Sequence, residues 1–213
     1  MRKPVIALVV LAVIGMFLGL LTVPPASAQA KLLKFGILHY PEHPFAMTSF
    51  FFAERMDELT KGAVKVEVHH SKSLGDAREL VEYLRLGTVD VAGISTANLS
   101  QVVKDFDMFP LPYLFKNEQH YWAVLNSDML EGMKKKLEEK GIKLLFWMDA
   151  GARSFYTKTK PVMSPDDLKG QKIRVMASPV MIKTINVMGG SGVPLAWGEL
   201  YTALQTGVVD GAE

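Results

Sequence analysis

Hydrophobic and polar positions alternate with period two over Leu32–Leu38 and again over Val64–His69, the pattern of half-buried strands. Between them, Phe45–Thr60 places Phe52, Met56 and Leu59 at helical spacing, and Lys61-Gly62 closes that helix. The loop His39-Tyr-Pro-Glu-His-Pro44 separates the first strand from the helix. A turn at Leu74-Gly-Asp76 then feeds a helix over Ala77–Leu86, stopped by Gly87, and a strand over Val89–Ile94. This β-α-β-α-β order predicts an α/β sheet with helices on its faces. Ligands of such sheets sit at the carboxyl ends of the strands, which directs attention to the loops after Leu38, His69 and Ile94.

Further along, Asn117 caps a helical stretch over Glu118–Lys140, interrupted near Asn126-Ser-Asp128 and closed by Gly141. Ile142–Met148 is strongly apolar and predicts a central strand, and Asp149-Ala-Gly151 marks a domain boundary. Beyond it come a strand over Ser154–Thr159, a short capped helix opening at Ser164-Pro165, and a strand that carries Arg174. A helix over Pro179–Met188, a short strand at Val193-Pro-Leu195, a helix around Glu199–Gln205 and a strand opening at Val208 complete the chain.

Composition adds the address. Arg2 and Lys3 precede an apolar run over Val5–Leu21, and Ala26-Ser-Ala28 is a small-residue cleavage motif, so residues 1–28 are expected to be a signal peptide cleaved near Ala28. A membrane anchor is the alternative, disfavoured by Pro24-Pro25 and the Ala-x-Ala ending. Setting Arg2 and Lys3 aside from the 24 basic residues leaves 22, equal to the 22 acidic ones. A balanced charge gives no support for nucleic acid as a partner. The chain has no cysteine, which removes disulfides, thiolate nucleophiles and cysteine-ligated metals, and its 49% hydrophobic content suffices for a core without them.

Candidate chemistry centres on two arginines, Arg153 and Arg174, that frame the unit Gly151–Arg174. A guanidinium holds a carboxylate through two parallel hydrogen bonds and stays charged at any physiological pH, so an arginine at a strand end facing a cleft anchors an organic acid. A solvated surface arginine is the ordinary alternative. The loop after the third strand offers Ser95, Thr96 and Asn98, small polar groups without charge, and the first loop offers His39 and His43. No histidine pair has metal spacing on an expected helix, and His69 and His70 point to opposite faces of a strand, so neither a metal nor a cofactor is expected.

Three ordered blocks carry a resemblance: Gly151-Ala-Arg-Ser-Phe-Tyr-Thr-Lys-Thr-Lys-Pro, Asp167-Leu-Lys-Gly-Gln-Lys-Ile-Arg-Val, and Pro194-Leu-Ala-Trp-Gly-Glu-Leu-Tyr-Thr-Ala-Leu-Gln-Thr-Gly-Val-Val-Asp-Gly-Ala-Glu. With Phe35-Gly36, His43-Pro44, Thr60-Lys-Gly-Ala-Val-Lys-Val66, Leu74-Gly75 and Gly87-Thr-Val-Asp-Val91, they resemble the DctP-type solute-binding proteins of TRAP (tripartite ATP-independent periplasmic) transporters over essentially all of the mature chain. The resemblance implies a two-lobed, periplasmic-binding-protein-like fold of mixed sheets flanked by helices. It divides the chain into an N-terminal lobe over 29–150 and a partial second lobe over 151–213, since family members continue past Val-Asp-Gly-Ala-Glu.

The implied function is non-catalytic: a periplasmic monomer that captures a small carboxylate, such as a C4-dicarboxylate, and delivers it to membrane permease subunits. Arg174 matches the arginine that pairs with the ligand carboxylate, Arg153 a second cleft arginine, and Trp197 an aromatic position near the ligand. Ser95 and Asn98 stand where sialic-acid binders carry Glu and Arg, which argues against a ligand of that kind. Two other readings stay open: a ligand sensor that docks on a membrane receptor, and an exported hydrolase. Against the latter stand the absence of Gly-x-Ser-x-Gly, His-Glu-x-x-His and phosphate-cradling motifs, and the fit of Asp166-Asp167 to a helix first turn.

Overall fold

The computed structural model describes residues 29–149 and 151–213. The expected signal peptide and Ala150, in the boundary motif, lie outside these residues. Strand β1 (Lys31–Ile37) is the middle of a three-stranded parallel sheet, with β2 (Val64–His69) on one side and β3 (Val91–Gly93) on the other. Its alternation is visible in the pairing: Phe35 lies opposite both Val68 and Val91, and Phe35 and Ile37 are fully buried while Lys34 stays exposed.

Helix α1 (Pro44–Leu59) connects β1 to β2. It starts where expected because Pro44 supplies a pre-set φ and the His43 ring accepts a hydrogen bond from the Phe45 N–H at 3.2 Å. Helix α2 (Ala77–Leu86) is fixed at both ends: Asp76 and Glu79 form a capping box, and Gly87 closes it at φ 70° in the left-handed region. The strand after Gly87 is shorter than its hydrophobic run, three residues in place of Val89–Ile94. The turn of helix α3 (Thr96–Leu99) takes over directly, capped by the Ser95 hydroxyl.

The interruption expected near residue 126 is present: α4 (Glu118–Leu125) and α5 (Glu131–Glu138) are separate helices joined through a 3-10 turn at Asp128–Leu130. Their apolar faces bury Leu125, Leu130, Met133 and Leu137 with Val81, Leu99, Val103, Phe106 and Ile142 in the largest core cluster. Each such side chain contributes about 1.5–3 kcal/mol on burial.

The expected central strand over Ile142–Met148 is not formed. The segment packs its apolar side chains all the same: Leu144 and Trp147 lie on the helical core, and Phe146 stacks on Phe52 at 5.6 Å. A strand also needs a backbone partner, and among the described residues no strand pairs with it.

The second sheet has the order β4-β7-β5-β6, built from β4 (Tyr156–Thr157), β5 (Lys172–Val175), β6 (Ser191–Pro194) and β7 (Gly211–Ala212). β5 runs parallel to both β6 and β7, whereas β4 is antiparallel to β7. The first strand of this half is two residues long rather than Ser154–Thr159, because only Tyr156 and Thr157 find partners on β7. The unit at Ser164-Pro165 is a 3-10 turn over Pro165–Leu168 rather than an α-helix. Helices α6 (Pro179–Val187) and α7 (Leu200–Thr206) cover the sheet, and β7 begins three residues later than the hydrophobic run at Val208 suggests.

The mixed α/β class with sheets flanked by helices is thus the observed architecture. The two sheets meet through α3, whose Ala97 is buried among Leu168, Ile173, Val175, Met181 and Ile185. Polar bonds reinforce the contact: Ser178 Oγ donates to Asp107 Oδ1 at 2.7 Å, and Gln101 Nε2 donates to the Ala177 carbonyl at 2.6 Å.

Candidate ligand-binding cleft

Both sheets turn the carboxyl ends of their parallel strands towards one cavity of about 1400 Å³. His39 follows β1, Asp76 follows β2, Ser95 follows β3, Arg174 and Met176 end β5, and Leu195 and Trp197 follow β6; all of them line it. All seven candidates from the sequence, His39, Ser95, Thr96, Asn98, Arg153, Arg174 and Trp197, are on its wall.

Arg174 is the unusual member. It is only 3% exposed, yet among the described residues it forms no ion pair, and its one hydrogen bond runs from Nε to the Leu195 carbonyl at 3.0 Å. That bond fixes the plane of the guanidinium and leaves its terminal nitrogens uncommitted. The Trp197 ring lies alongside, 5.7 Å from Cζ, a cation–π distance. Burial pulls the guanidinium below its ordinary pKa, opposed by Glu213, then by Tyr156 and more weakly by Asp76, with Arg153 adding to the push. An arginine stays protonated through such a shift, so the cleft holds a buried cation with no close ion pair among the described residues.

Arg153 differs. It is half exposed, and its Nε is paired with the carboxylate of Glu213, whose own side chain is nearly buried. The second cleft arginine is therefore charge-neutralised by a residue sixty positions away that the sequence reading did not single out. The other oxygen of Glu213 is buried without a hydrogen-bond partner among the described residues.

At the first loop, His39 stacks on His43 at 4.0 Å and sits 6.1 Å from the Trp197 ring. Burial, helped by His43 and opposed by Asp76, lowers the His39 pKa to about 4, so its imidazole is neutral at neutral pH. Its Nδ1 is buried and has no partner among the described residues. Asp76 caps α2 through Oδ1 and reaches the other sheet through Oδ2, which accepts from Gly198 N at 3.1 Å. Sequence reasoning placed Asp76 in a turn and missed its position on the cleft; the helix-capping pattern Asp-x-x-Glu was the available signal.

The small polar trio divides. Ser95 Oγ is occupied, capping α3 and donating to Met176 Sδ at 3.1 Å, whereas Thr96 and Asn98 are half-buried on α3 and line the cavity. Among the described residues no group of acidic or histidine side chains is arranged to hold a metal ion.

Residues 35–213 match the family model for bacterial extracellular solute-binding protein, family 7, called DctP. The chain belongs to this family. A relative described as a solute-binding protein from Chromohalobacter salexigens is 34% identical over 202 residues, covering 95% of this chain and 60% of the relative. A TRAP periplasmic solute-binding protein from Sulfitobacter sp. NAS-14.1, solved with bound β-D-galacturonate, superposes with a TM-score of 0.81 at 36% identity, over 85% of this chain and 61% of that one. A further such protein from Sulfurospirillum deleyianum, solved with bound succinate, gives a TM-score of 0.82 at 34% identity, over 86% and 60%. The chain thus spans about 60% of the length of these relatives, each described as a solute-binding protein. The family resemblance read from the three sequence blocks is borne out.

Proposed function

We propose that the protein is an extracytoplasmic solute-binding protein that captures a small organic acid in the cleft and delivers it to a TRAP-type membrane permease. The observation that carries this reading is Arg174: buried, without an ion pair among the described residues, and held by the Leu195 carbonyl with its outer nitrogens uncommitted. A desolvated cation in that state is a high-energy feature unless an anion completes it, and a carboxylate fits the guanidinium fork. Both solved relatives named above hold a carboxylic acid, one a uronate and the other a dicarboxylate.

In this reading residues 29–150 and 151–213 belong to two lobes that close on the acid, and residues 1–28 direct export and are removed near Ala28. Trp197 supplies an apolar face beside the carboxylate, Thr96 and Asn98 supply neutral hydrogen bonds from the facing lobe, and Arg153 with Glu213 forms the rim. His39 and Ser95 complete the wall. Delivery requires only that the lobes reopen, and no bond of the solute is made or broken.

The test is a thermal-shift screen of the protein expressed from its whole gene against a panel of organic acids, followed by calorimetric titration. A ligand that binds only the folded state raises the melting temperature, by about 2.7 kcal/mol of added stability at a hundredfold excess over Kd. The expected outcome is a shift with at least one acid and no turnover of it. A cooperative melt that no acid moves would refute the reading.

A further inference from the structure

Residues 29–149 and 151–213 touch in two places of different character. In the first, Ser95, Gln101 and Asp107 are hydrogen-bonded to Met176, Ala177 and Ser178, the residues that follow β5, and both Ala97 and Ser178 are buried there. In the second, the Asp76 carboxylate accepts the Gly198 N–H at 3.1 Å, and Lys72 Nζ lies so close to Gly198 that an added Cβ would overlap it. Among the described residues, this is the one long-range hydrogen bond between the halves outside the first place. The first contact packs apolar surface, whereas the second joins polar groups that are exposed or half-exposed. Water replaces the second at far lower cost.

Strain and capping aim both sides of the second contact. The turn after β2 keeps Ser71 at φ 53° and Lys72 at φ 60°, in the left-handed region that costs non-glycine residues energy. Bonds from Ser71 N to the His39 carbonyl at 2.9 Å and from Gly75 N to the Lys72 carbonyl at 2.8 Å hold it there. Asp76 is fixed by its capping box with Glu79, whose N–H its carboxylate takes, while Oδ1 takes the Ala77 N–H at 2.8 Å and Oδ2 is turned to Gly198. Opposite, Gly198 follows Trp197 in one 3-10 turn over Trp197–Glu199, so what holds Gly198 also holds the indole beside Arg174 and His39. Asp76 and Trp197 line the cavity, whereas Lys72 and Gly198 are not on its wall.

We propose that Asp76 clasps the Gly198 backbone and so holds the two halves closed over the cleft, and that opening of this clasp, about the packed contact at Met176–Ser178, sets how fast a bound solute leaves. The proposal rests on the solute-binding reading given above and goes beyond it by naming the contact that controls release. Asp76 is thereby a positioning residue, acting through Gly198 on Trp197. The division of its oxygens makes the role separable from the helix cap. An asparagine has one acceptor oxygen: when that oxygen caps α2, the amide NH2 faces the Gly198 N–H, donor against donor.

The experiment uses the protein expressed from its whole gene, spin-labelled at Glu82→Cys on α2 and Gln205→Cys on α7, exposed positions on the helices that start beside the clasp; the sequence has no cysteine to compete for the labels. Pulsed electron paramagnetic resonance reads the distance between the labels, and stopped-flow tryptophan fluorescence reads binding and release of an organic acid. Wild type should show a short-distance population that grows with the acid. Asp76→Asn and Gly198→Ala should each shrink that population, raise the release rate about tenfold and leave the association rate within about threefold. Adding Lys72→Ala to Gly198→Ala should restore part of the short-distance population, because it removes the atom that the new Cβ meets. Faster release in Asp76→Asn with unchanged distances and a silent Gly198→Ala would make Asp76 a solute contact and overturn the clasp. Labels at one long distance in wild type under every condition overturn it too. If no acid binds, the solute-binding reading falls, and the label distances alone still decide whether Asp76 and Gly198 hold the halves together. Two variants on opposite sides of the contact, and the wild-type distances, keep the proposal exposed should one variant fail to fold.

Discussion

Replacing Arg174 by Met should separate binding from folding. The guanidinium is almost fully buried, carries no ion pair among the described residues and makes one hydrogen bond, to Leu195. Losing that bond leaves the Leu195 carbonyl short of a partner and costs about 1–2 kcal/mol. Against this, the substitution removes a desolvated charge and keeps most of the apolar stem, a gain of similar size. The net change in stability should stay within about 1 kcal/mol, or about 2–4 °C in Tm for a chain of this length. Binding responds differently, because truncating one partner of a buried, hydrogen-bonded charge pair costs about 2–5 kcal/mol. At about 3 kcal/mol the affinity for the acid falls by roughly a hundredfold. Calorimetric titration gives the affinity, and thermal melts with and without saturating acid give the stability and its ligand dependence. The expected result is an unchanged melt that no longer responds to the acid. Affinity retained within a few-fold would refute the carboxylate anchor, and a loss of ten degrees or so without ligand would mean that Arg174 is a structural residue.

Other consequences follow from single contacts. Gly192 sits on β6 against α6, where an added Cβ would lie 2.9 Å from the Ile182 Cα and carbonyl oxygen; since backbone must move, Gly192→Ala should cost about 1–3 kcal/mol, measured as a lower denaturation midpoint. Asp76→Ala removes the α2 cap and the bond from Gly198 N, and should cost about 2 kcal/mol, or about 4–8 °C in Tm. His39, whose folded pKa is lowered from 6.5 to about 4, chiefly by burial, contributes stability that is complete above about pH 6.5 and is lost as pH falls towards 4, because the unfolded chain takes up the proton first. The melting temperature of His39→Phe should therefore fall less steeply than wild type between those pH values, and parallel slopes would refute the assignment.

Elements whose determinants are local were legible in the sequence, and those whose determinants lie elsewhere were not. Asp76, Gly87 and Ser178 fix helix ends with atoms a few residues away, so the boundaries of α2 and the start of α6 follow from reading the chain. Ile142–Met148 shows the limit: its apolar pattern predicts a central strand and the segment does pack, but a strand is a relation between two segments and only one is visible in the pattern. The candidate site divides in the same way. Arg174, Trp197 and His39 could be named because chain position at strand ends and family blocks single them out. Their states could not, because the charge of Arg153 depends on Glu213 and the isolation of Arg174 depends on which acids fail to reach it. Two arginines in sequence leave the class of acid open and look alike, whereas in space Arg153 is paired with Glu213 and Arg174 has no ion pair among the described residues. The charge that this cleft offers an acid is therefore set by pairing in space, which a count of arginines does not give.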